Sequence, residues 1–442
     1  MSLVSFVVMQ PMKYAVITFG CRVNQADSLG LEEQLRAAGA QPAPPETADV
    51  VVVNTCSVTA TADQGARQTI RRLARTNPGA RLVVTGCYAT RRPDDVRELP
   101  HVVRVVPNDD KPGLLQIIRS VCLPADPSTA ERFGDGDGSC GAAIEPGVAG
   151  RTAFTLRVQT GCAEPCAYCI IPTTRGRPRS VPIEAVLAEV HRVAAAGFKE
   201  IALTGVHLGS YGRDLTPRSS LIELLRALER EGRRVRLQPD LLLFRISSLE
   251  PMDCCREVIA LVAEGDCFAP HFHLPLQHAS DRVLAAMRRP YTIEEYASLV
   301  AGIRTRIPAA SIGSDIIVGF PDETDDDFEQ LASYLNRSPL THVHVFPYSD
   351  RPGTTASTMS GKVPGAIVRE RARIVRDIGQ RLATKFRESQ VGTVRRALTL
   401  EDGTLVVTDN YLKVRIPPGR ARNEFVRVKI TSAGDPIQGE LC

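Results

Sequence analysis

Short β-branched runs alternate with amphipathic helical stretches from residue 13 to residue 347, and few folds absorb such a pattern. Strands that alternate with helices build parallel sheets covered by those helices. KYAVITF (13–19), DVVVVNT (49–55) and RLVVTG (81–86) read as buried parallel strands, with helical stretches near 27–38, 61–75 and 112–121. Residues 1–122 therefore form a small doubly wound parallel α/β domain. Residues 123–150 break the rhythm with PADPS and GDGDGSCG, a Pro-, Asp- and Gly-rich linker. The alternation resumes in FTLRVQT (154–160), EIALT (200–204), LFRISS (243–248), HFHLPL (271–276), IGSDIIV (312–318) and HVHVFP (342–347). Six βα units are too few for a closed eight-stranded barrel. They predict a partial, open (βα)6 barrel over 151–389, with chemistry at the strand C-terminal ends. A long charged helix at 364–389 closes it. VRRALTL, LVVTD, LKVRI and FVRVKIT then predict a small all-β barrel over 390–442.

Hydrophobic residues make up 43% of the 442 and charged residues 24%, an ordinary globular composition. The net charge of +4 neither demands nor excludes a nucleic-acid partner. Twelve cysteines in a short secreted chain would suggest disulfides. This chain is long, and its opening MSLVSFVVMQPM lacks a basic n-region and a small-residue cleavage site, with Met12 as an alternative start. Nor does any run reach the length of a membrane span. The expected setting is a reducing cytoplasm, where clustered cysteines more often hold metal or do redox chemistry.

Cys162-Ala-Glu-Pro-Cys166-Ala-Tyr-Cys169 follows directly on a predicted strand. The spacing puts three thiolates on one compact loop, and thiolates are the usual ligands of iron–sulfur clusters. Three ligands on a four-iron cluster leave one iron open to chelate a cofactor. The alternative is a structural zinc knot, which usually takes a fourth protein ligand and paired C-x2-C spacings. No second pair lies nearby.

The first domain repeats the theme in another form. Cys21 ends ITFGC, Cys56 ends VVVNTC and Cys87 ends VVTGC. Each lies just past a predicted strand, where open α/β sheets form their ligand crevice. Three cysteines from neighbouring strands suit a second cluster with three protein ligands. Any one of them, taken alone, reads as an inert buried residue.

These motifs carry a resemblance over nearly the whole chain. The C-x3-C-x2-C loop, with Tyr168 before its last cysteine, is similar to that of radical S-adenosylmethionine (SAM) enzymes. FGCRVNQADS (19–28), VVNTCSVTATAD (52–63), VVTGCYA (83–89), CIIPTTRGRPRS (169–180), LTGVHLGSYG (203–212), RISSLEP (245–251), HLPLQHASDRVLAAMRRPYT (273–292), DIIVGFPDET (315–324) and VFPYSDRPGT (345–354) resemble the radical SAM methylthiotransferases. TDNYLKVRI (408–416) resembles that family's RNA-binding TRAM module. The resemblance implies two [4Fe-4S] clusters and SAM as cofactors. One cluster falls to Cys162, Cys166 and Cys169, the other to Cys21, Cys56 and Cys87. It implies SAM contacts at Tyr168 and Gly205, although core packing equally explains Tyr168. It implies tRNA as substrate, a reductant such as flavodoxin or ferredoxin, an open sulfur source, no membrane, and a monomer. GCRVNQ, SVTATAD, RQTIRR (67–72) and CYA point to the branch that methylthiolates carbon 2 of threonylcarbamoyl-adenosine beside the anticodon. The alternatives are isopentenyl-adenosine in tRNA, a ribosomal-protein aspartate, or a non-catalytic, metal-stabilised RNA-binding protein.

His271 and His273 share a strand face by period-two alternation, which suits either a contact in the barrel mouth or simple packing. Asp315 and Gly319, on a barrel strand, are further candidates to reach SAM, although a packing requirement equally explains the glycine. Asp325, Asp326 and Asp327 read as a solvated helix N-terminus. Cys122, Cys140, Cys254, Cys255, Cys267 and Cys442 lack partner spacing and read as non-ligands. Lys413, Arg415, Arg420, Arg422, Arg427 and Lys429 against Glu424 make 411–430 a phosphate-tracking face. Arg67, Arg71, Arg72 and Arg75, and Arg175, Arg177 and Arg179, are further basic groups, and any one of these groups also reads as an ordinary solvated surface.

Overall fold

A computed structural model describes residues 11–122, 144–146, 152–237 and 240–442. The 123–150 linker lies almost entirely outside them, as does Cys140, and the side chain of Cys122 is not described. The described residues form two compact units, those of 11–122 with 173–175, and those of 144–172 with 176–442. No described helix is long and apolar enough to cross a membrane.

The first unit holds five parallel strands, β1 (Lys13–Thr18), β2 (Gln41–Pro42), β3 (Val50–Thr55), β4 (Arg81–Gly86) and β5 (Val102–Val106), in the order β2-β1-β3-β4-β5. Alternation along β3 explains the two layers. Val51 and Val53 pack with Ala66, Ile70 and Leu73 of helix α2 (Ala60–Thr76). Val50 and Val52 pack on the opposite face with Leu31 and Leu35 of helix α1 (Arg22–Ala37) and with Leu114 and Ile118. Every residue of β3 is buried, as a strand covered on both faces requires. The sheet is doubly wound, as expected, with β2 and β5 added at its edges.

In the second unit, the six expected barrel strands all form. They are β6 (Phe154–Arg157), β9 (Glu200–Thr204), β12 (Leu243–Ile246), β13 (His271–His273), β14 (Ser311–Val318) and β15 (His342–Pro347). Two short antiparallel pairs lie between them in the chain, β7 (Gln159–Thr160) with β8 (Arg179–Ser180), and β10 (Arg236–Leu237) with β11 (Asp240–Leu241). The six pair in parallel as β6-β9-β12 and β13-β14-β15, and a single bridge from Phe244 to Phe268 joins the halves. One continuous apolar core lies between this arc and its helices. The helix Gly365–Gln390 packs Val375, Ile378 and Leu382 into that core.

Five strands, β16 (Val394–Leu400), β17 (Leu405–Thr408), β18 (Lys413–Arg415), β19 (Phe425–Ser432) and β20 (Ile437–Leu441), close the small barrel. Val406, Val414, Val426, Val428 and Ile430 fill it. Arg245 of β12 anchors the barrel. Its buried guanidinium pairs with Glu200 at 2.8 Å, donates to the Asp409 carbonyl at 2.9 Å and lies over the Tyr411 ring.

Candidate metal centres

In the first unit, the strand ends bring the three cysteines together. Cys21 follows β1 and caps α1, Cys56 follows β3, and Cys87 opens a short helix after β4. Buried amides lock the loops that carry them. Asn54 donates to the Asn24 carbonyl and to Ser28, each at 2.9 Å, while Asn24 donates to the carbonyls of Phe19 and Thr55. The Thr55 hydroxyl bridges the Thr85 carbonyl and the Ala89 amide. Gly20 lies at φ +91°, and a β-carbon there would stand 2.5 Å from Cys56 Sγ. Only glycine lets that turn lie against the Cys56 thiol. Burial pushes the Cys56 thiol up to about 11, with Cys87 and Cys21 adding to the shift, so the three sulfurs are electrostatic neighbours.

Around them sits a cationic shell that the motif reading did not resolve. Arg175 is buried and ion-paired with Asp27 at 3.3 Å. Burial works against its charge, but Cys87, Asp27 and Cys21 hold the guanidinium above its ordinary range. Lys111 also bonds Asp27, at 2.7 Å, and Asn54, at 3.1 Å. Asn108 approaches Cys87 Sγ at 3.6 Å and donates to the Thr174 carbonyl. Three thiols beside buried cations fit an anionic thiolate-bound cluster, because the cations offset the charge it would carry. Arg175 was expected in a surface basic group. It is a buried partner of Asp27 instead, because FGCRVNQADS supplies a carboxylate for it.

In the second unit, Cys162 follows the short β7 strand. Gly161, at φ +75°, has no room for a side chain against the Arg177 carbonyl. The loop is held at several points. Cys162 N donates to Gly176 O at 3.0 Å, Ala167 N to Met287 O at 3.0 Å, and Ala356 N to Ala167 O at 2.8 Å. Burial pushes Cys162 up to about 11 and Cys169 up to about 12, with Cys166 adding to both shifts, and it raises Cys166 as well. Arg289 donates to Cys166 Sγ at 3.2 Å and to the Tyr291 hydroxyl at 3.1 Å, and it pairs with Glu250. Three gathered thiols with a buried guanidinium again suit a thiolate-bound cluster. Both Arg289 and Glu250 stood inside quoted motifs, RRPYT and SLEP, but only the fold brings them to the loop.

Tyr168 packs beside Ala167, Val283, Met287, Ile317 and Phe320. Gly205 opens the turn after β9, where Gln159 Oε1 accepts the amides of Val206 and His207 at 2.9 Å. A β-carbon at Gly205 would come 2.7 Å from Leu208 Cδ2. That packing alone accounts for the glycine. Nearby, the buried His207 pairs with Asp253 at 3.2 Å, a contact no motif signalled.

The remaining expectations divide. His271 and His273 do share one face, and both rings approach that of His342. Asp315 pairs with His273 Nε2 at 3.0 Å, so its carboxylate turns to a histidine. Gly319, at φ +78°, packs tightly against Val368. Asp325 and Asp326 are exposed, but Asp327 is buried, which corrects the reading of a solvated trio. Asp327 forms a capping box with Thr324 and also receives Ser280 and Arg282, which hold its carboxyl well below the usual carboxylate range despite its burial. Lys413, Arg415, Arg420, Arg422, Arg427 and Lys429 are all exposed. Those on β18 and β19 alternate with buried Val414, Val426 and Val428. Cys254 and Cys267 are buried, whereas Cys255 and Cys442 are exposed.

Two family models match the chain. "Uncharacterized protein family UPF0004" covers residues 13–107, and "Radical SAM superfamily" covers residues 156–335. The chain is 38% identical over 424 residues to threonylcarbamoyladenosine tRNA methylthiotransferase MtaB of Aquifex aeolicus (strain VF5), covering 95% of this chain and 100% of that one. It is 33% identical to the tRNA-2-methylthio-N(6)-dimethylallyladenosine synthase of Streptomyces viridosporus, covering 97% and 85%. Among solved structures, it is similar to the radical SAM methyltransferase TsrM of Kitasatospora setae with cobalamin and a [4Fe-4S] cluster bound. That likeness has a TM-score of 0.55 at 16% identity over 79% of this chain and 74% of that one, and it speaks to the fold alone. With near-complete coverage above 30% identity, the chain belongs to the radical SAM methylthiotransferase family, whose enzymes use SAM and two [4Fe-4S] clusters.

Proposed function

We propose that this enzyme attaches a methylthio group to carbon 2 of N6-threonylcarbamoyladenosine at position 37 of tRNA, next to the anticodon. Cys162, Cys166 and Cys169 hold the cluster that binds SAM. Cys21, Cys56 and Cys87 hold the second. Held by these cysteines, the first cluster would supply one-electron reduction of SAM and the second would supply the sulfur. The chain's own residues set up each centre. Arg289 and Arg175 offset thiolate charge, the bonds of Ala167 hold the loop to its neighbours, and Asn24 and Asn54 hold two strand ends in register. Tyr168 and Gly205 lie on the SAM side.

One observation carries this reading. The chain gathers two separate thiol triplets, each beside a buried arginine. A binding module needs no such pair. The name of the Aquifex aeolicus relative supports the substrate. Residues 390–442 serve as the TRAM-like RNA-binding domain, 1–122 as the auxiliary-cluster domain and 151–389 as the radical SAM domain. The exposed cations of 411–430 support that role for the small barrel. The enzyme works in the cytoplasm as a monomer, reduced by a flavodoxin- or ferredoxin-like donor.

A second reading, methylthiolation of the isopentenyl-type adenosine, is favoured by the name of the Streptomyces viridosporus relative. Mass spectrometry of tRNA nucleosides from a deletion strain separates the two. The 2-methylthio derivative of threonylcarbamoyladenosine disappears if the proposal holds. An unchanged level, or loss of the isopentenyl derivative instead, overturns it.

A further inference from the structure

Apart from both thiol sites, β13, β14 and β15 bring His273, His342 and His344 to one point in the second unit. Their candidate ligand atoms all lie within 4.8 Å of one another. The register explains the grouping. His273 pairs with Gly313, Gly313 with His342, and Asp315 with His344, so all these positions share one face of adjacent parallel strands.

The rings are also oriented by partners. Asp315 Oδ1 takes His273 Nε2 at 3.0 Å, which leaves Nδ1 as the ligating nitrogen. Thr341 Oγ1 engages His342 Nδ1 at 3.0 Å, which leaves Nε2. Both remaining nitrogens point over Gly313. A β-carbon at Gly313 would stand 2.9 Å from His273 Nδ1 and would overlap His342 Nε2. Gly313 has no positive φ, so its lack of a side chain serves space and not backbone shape. The ring centroids are 5.6 to 6.1 Å apart among the three histidines. In a tetrahedral site with metal–nitrogen bonds of about 2.1 Å, they would be roughly 5 Å apart. Side-chain rotations that close the ligand atoms by about 1 Å complete the geometry.

We propose that His273, His342 and His344 form a mononuclear divalent-metal site over Gly313, with Asp315 and Thr341 as the groups that orient two of the ligands. Three imidazoles select borderline metals such as Zn2+, Co2+ or Fe2+ over Mg2+ or Ca2+. A hydrogen-bonded carboxylate behind a ligating histidine is the usual means of fixing its tautomer. Three protein ligands leave one position for water or an anionic oxygen.

The test is a zinc titration of the reconstituted holoprotein, whose six cluster cysteines are already occupied and whose exposed Cys255 and Cys442 are replaced by Ser, read by elemental analysis after gel filtration. The expected result is one equivalent of zinc per chain in addition to the iron. Gly313→Ala and His342→Ala weaken binding tenfold or more, and Asp315→Asn weakens it by tenfold to a hundredfold, with iron content unchanged. His191→Ala, at an exposed histidine outside the cluster, binds as the parent does. If a buried substitution lowers the iron content, His344→Ala at an exposed position replaces it. Absence of a saturable equivalent, or equal affinity in parent and cluster variants, overturns the proposal. The readout needs no tRNA, so failure of the substrate assignment does not affect it.

Discussion

The two thiol triplets reach similar chemistry by different routes. The barrel triplet lies within one loop of eight residues, so local spacing alone delivers its sulfurs. The first-unit triplet is spread over three strand ends more than thirty residues apart, and sheet register alone brings it together. A loop of this kind can be recognised from a single motif. A strand-end site requires the fold first, and this explains its dense bracing by Asn24, Asn54 and Thr55.

The hardest test of that contrast is removal of one thiol from each. Cys166→Ala lowers iron from about eight to about four per chain and abolishes SAM cleavage. Cys56→Ala removes a similar amount of iron and abolishes methylthiolation, but leaves 5′-deoxyadenosine production intact. Iron assay and chromatography of the SAM products check both. Loss of all iron from either single substitution would break the independence of the two sites.

Next come the glycines behind each triplet. Gly20→Ala imposes a left-handed backbone cost of about 1–2 kcal/mol and drives a methyl group into Cys56 Sγ. Gly161→Ala carries the same backbone cost and overlaps the Arg177 carbonyl. Each loses about 3 kcal/mol or more once overpacking is included. Gly20→Ala selectively depletes the first-unit cluster, and Gly161→Ala the barrel cluster. Iron content combined with denaturant unfolding distinguishes them.

How far the sequence itself discloses this arrangement varies with the kind of signal. The six barrel strands were readable because each is a short run rich in β-branched, aromatic or other apolar residues set between helical stretches, even where, as in β15, its faces are only partly buried. The strand Ile437–Leu441 was not, because IQGEL shows little apolar character and forms by pairing with β18 and β19. Helix α1 begins at Arg22, five residues before the expected start, because buried Asn24 and Ser28 disguise its inner face as polar. The cysteines were readable at both sites. The cations beside them were not, since nothing in TTRGRPRS distinguishes the buried Arg175 from the exposed Arg179. Burial depends on Asp27, far away in sequence.

Those arginines provide a smaller, sharper comparison. Arg289→Ala leaves Glu250 without its guanidinium, whereas Arg175→Ala leaves Asp27 still bonded to Lys111 at 2.7 Å. Breaking a buried pair typically costs about 3–5 kcal/mol. Arg289→Ala falls near the low end, because Glu250 keeps some exposure. Arg175→Ala costs less, on the order of 2 kcal/mol, with Lys111 as the second cation. Urea unfolding of each variant measures the difference. An equal loss at both sites would show that Lys111 does not share the load.

The smallest effect separates the sites by pH in metal-free protein. Burial raises all three barrel thiols, Cys162 to about 11 and Cys169 to about 12, and it raises Cys56 of the first unit to about 11. An unfolded thiol releases its proton near pH 8.5. Above that pH the unfolded chain binds fewer protons than the folded one, so stability falls as pH rises. The stabilisation is fully present below about pH 8.5 and is lost as pH rises through the folded values. Because the barrel thiols are partly exposed, the expected loss is only about 1 kcal/mol between pH 8 and 9.5. Denaturant unfolding of metal-free protein over that range gives the slope. Replacing Cys162, Cys166 and Cys169 together by Ser flattens it more than replacing Cys56 does. If the Cys56 variant flattened it as much, burial at the two sites would be equivalent, and the contrast between a loop and a strand-end site would not extend to how each holds its protons.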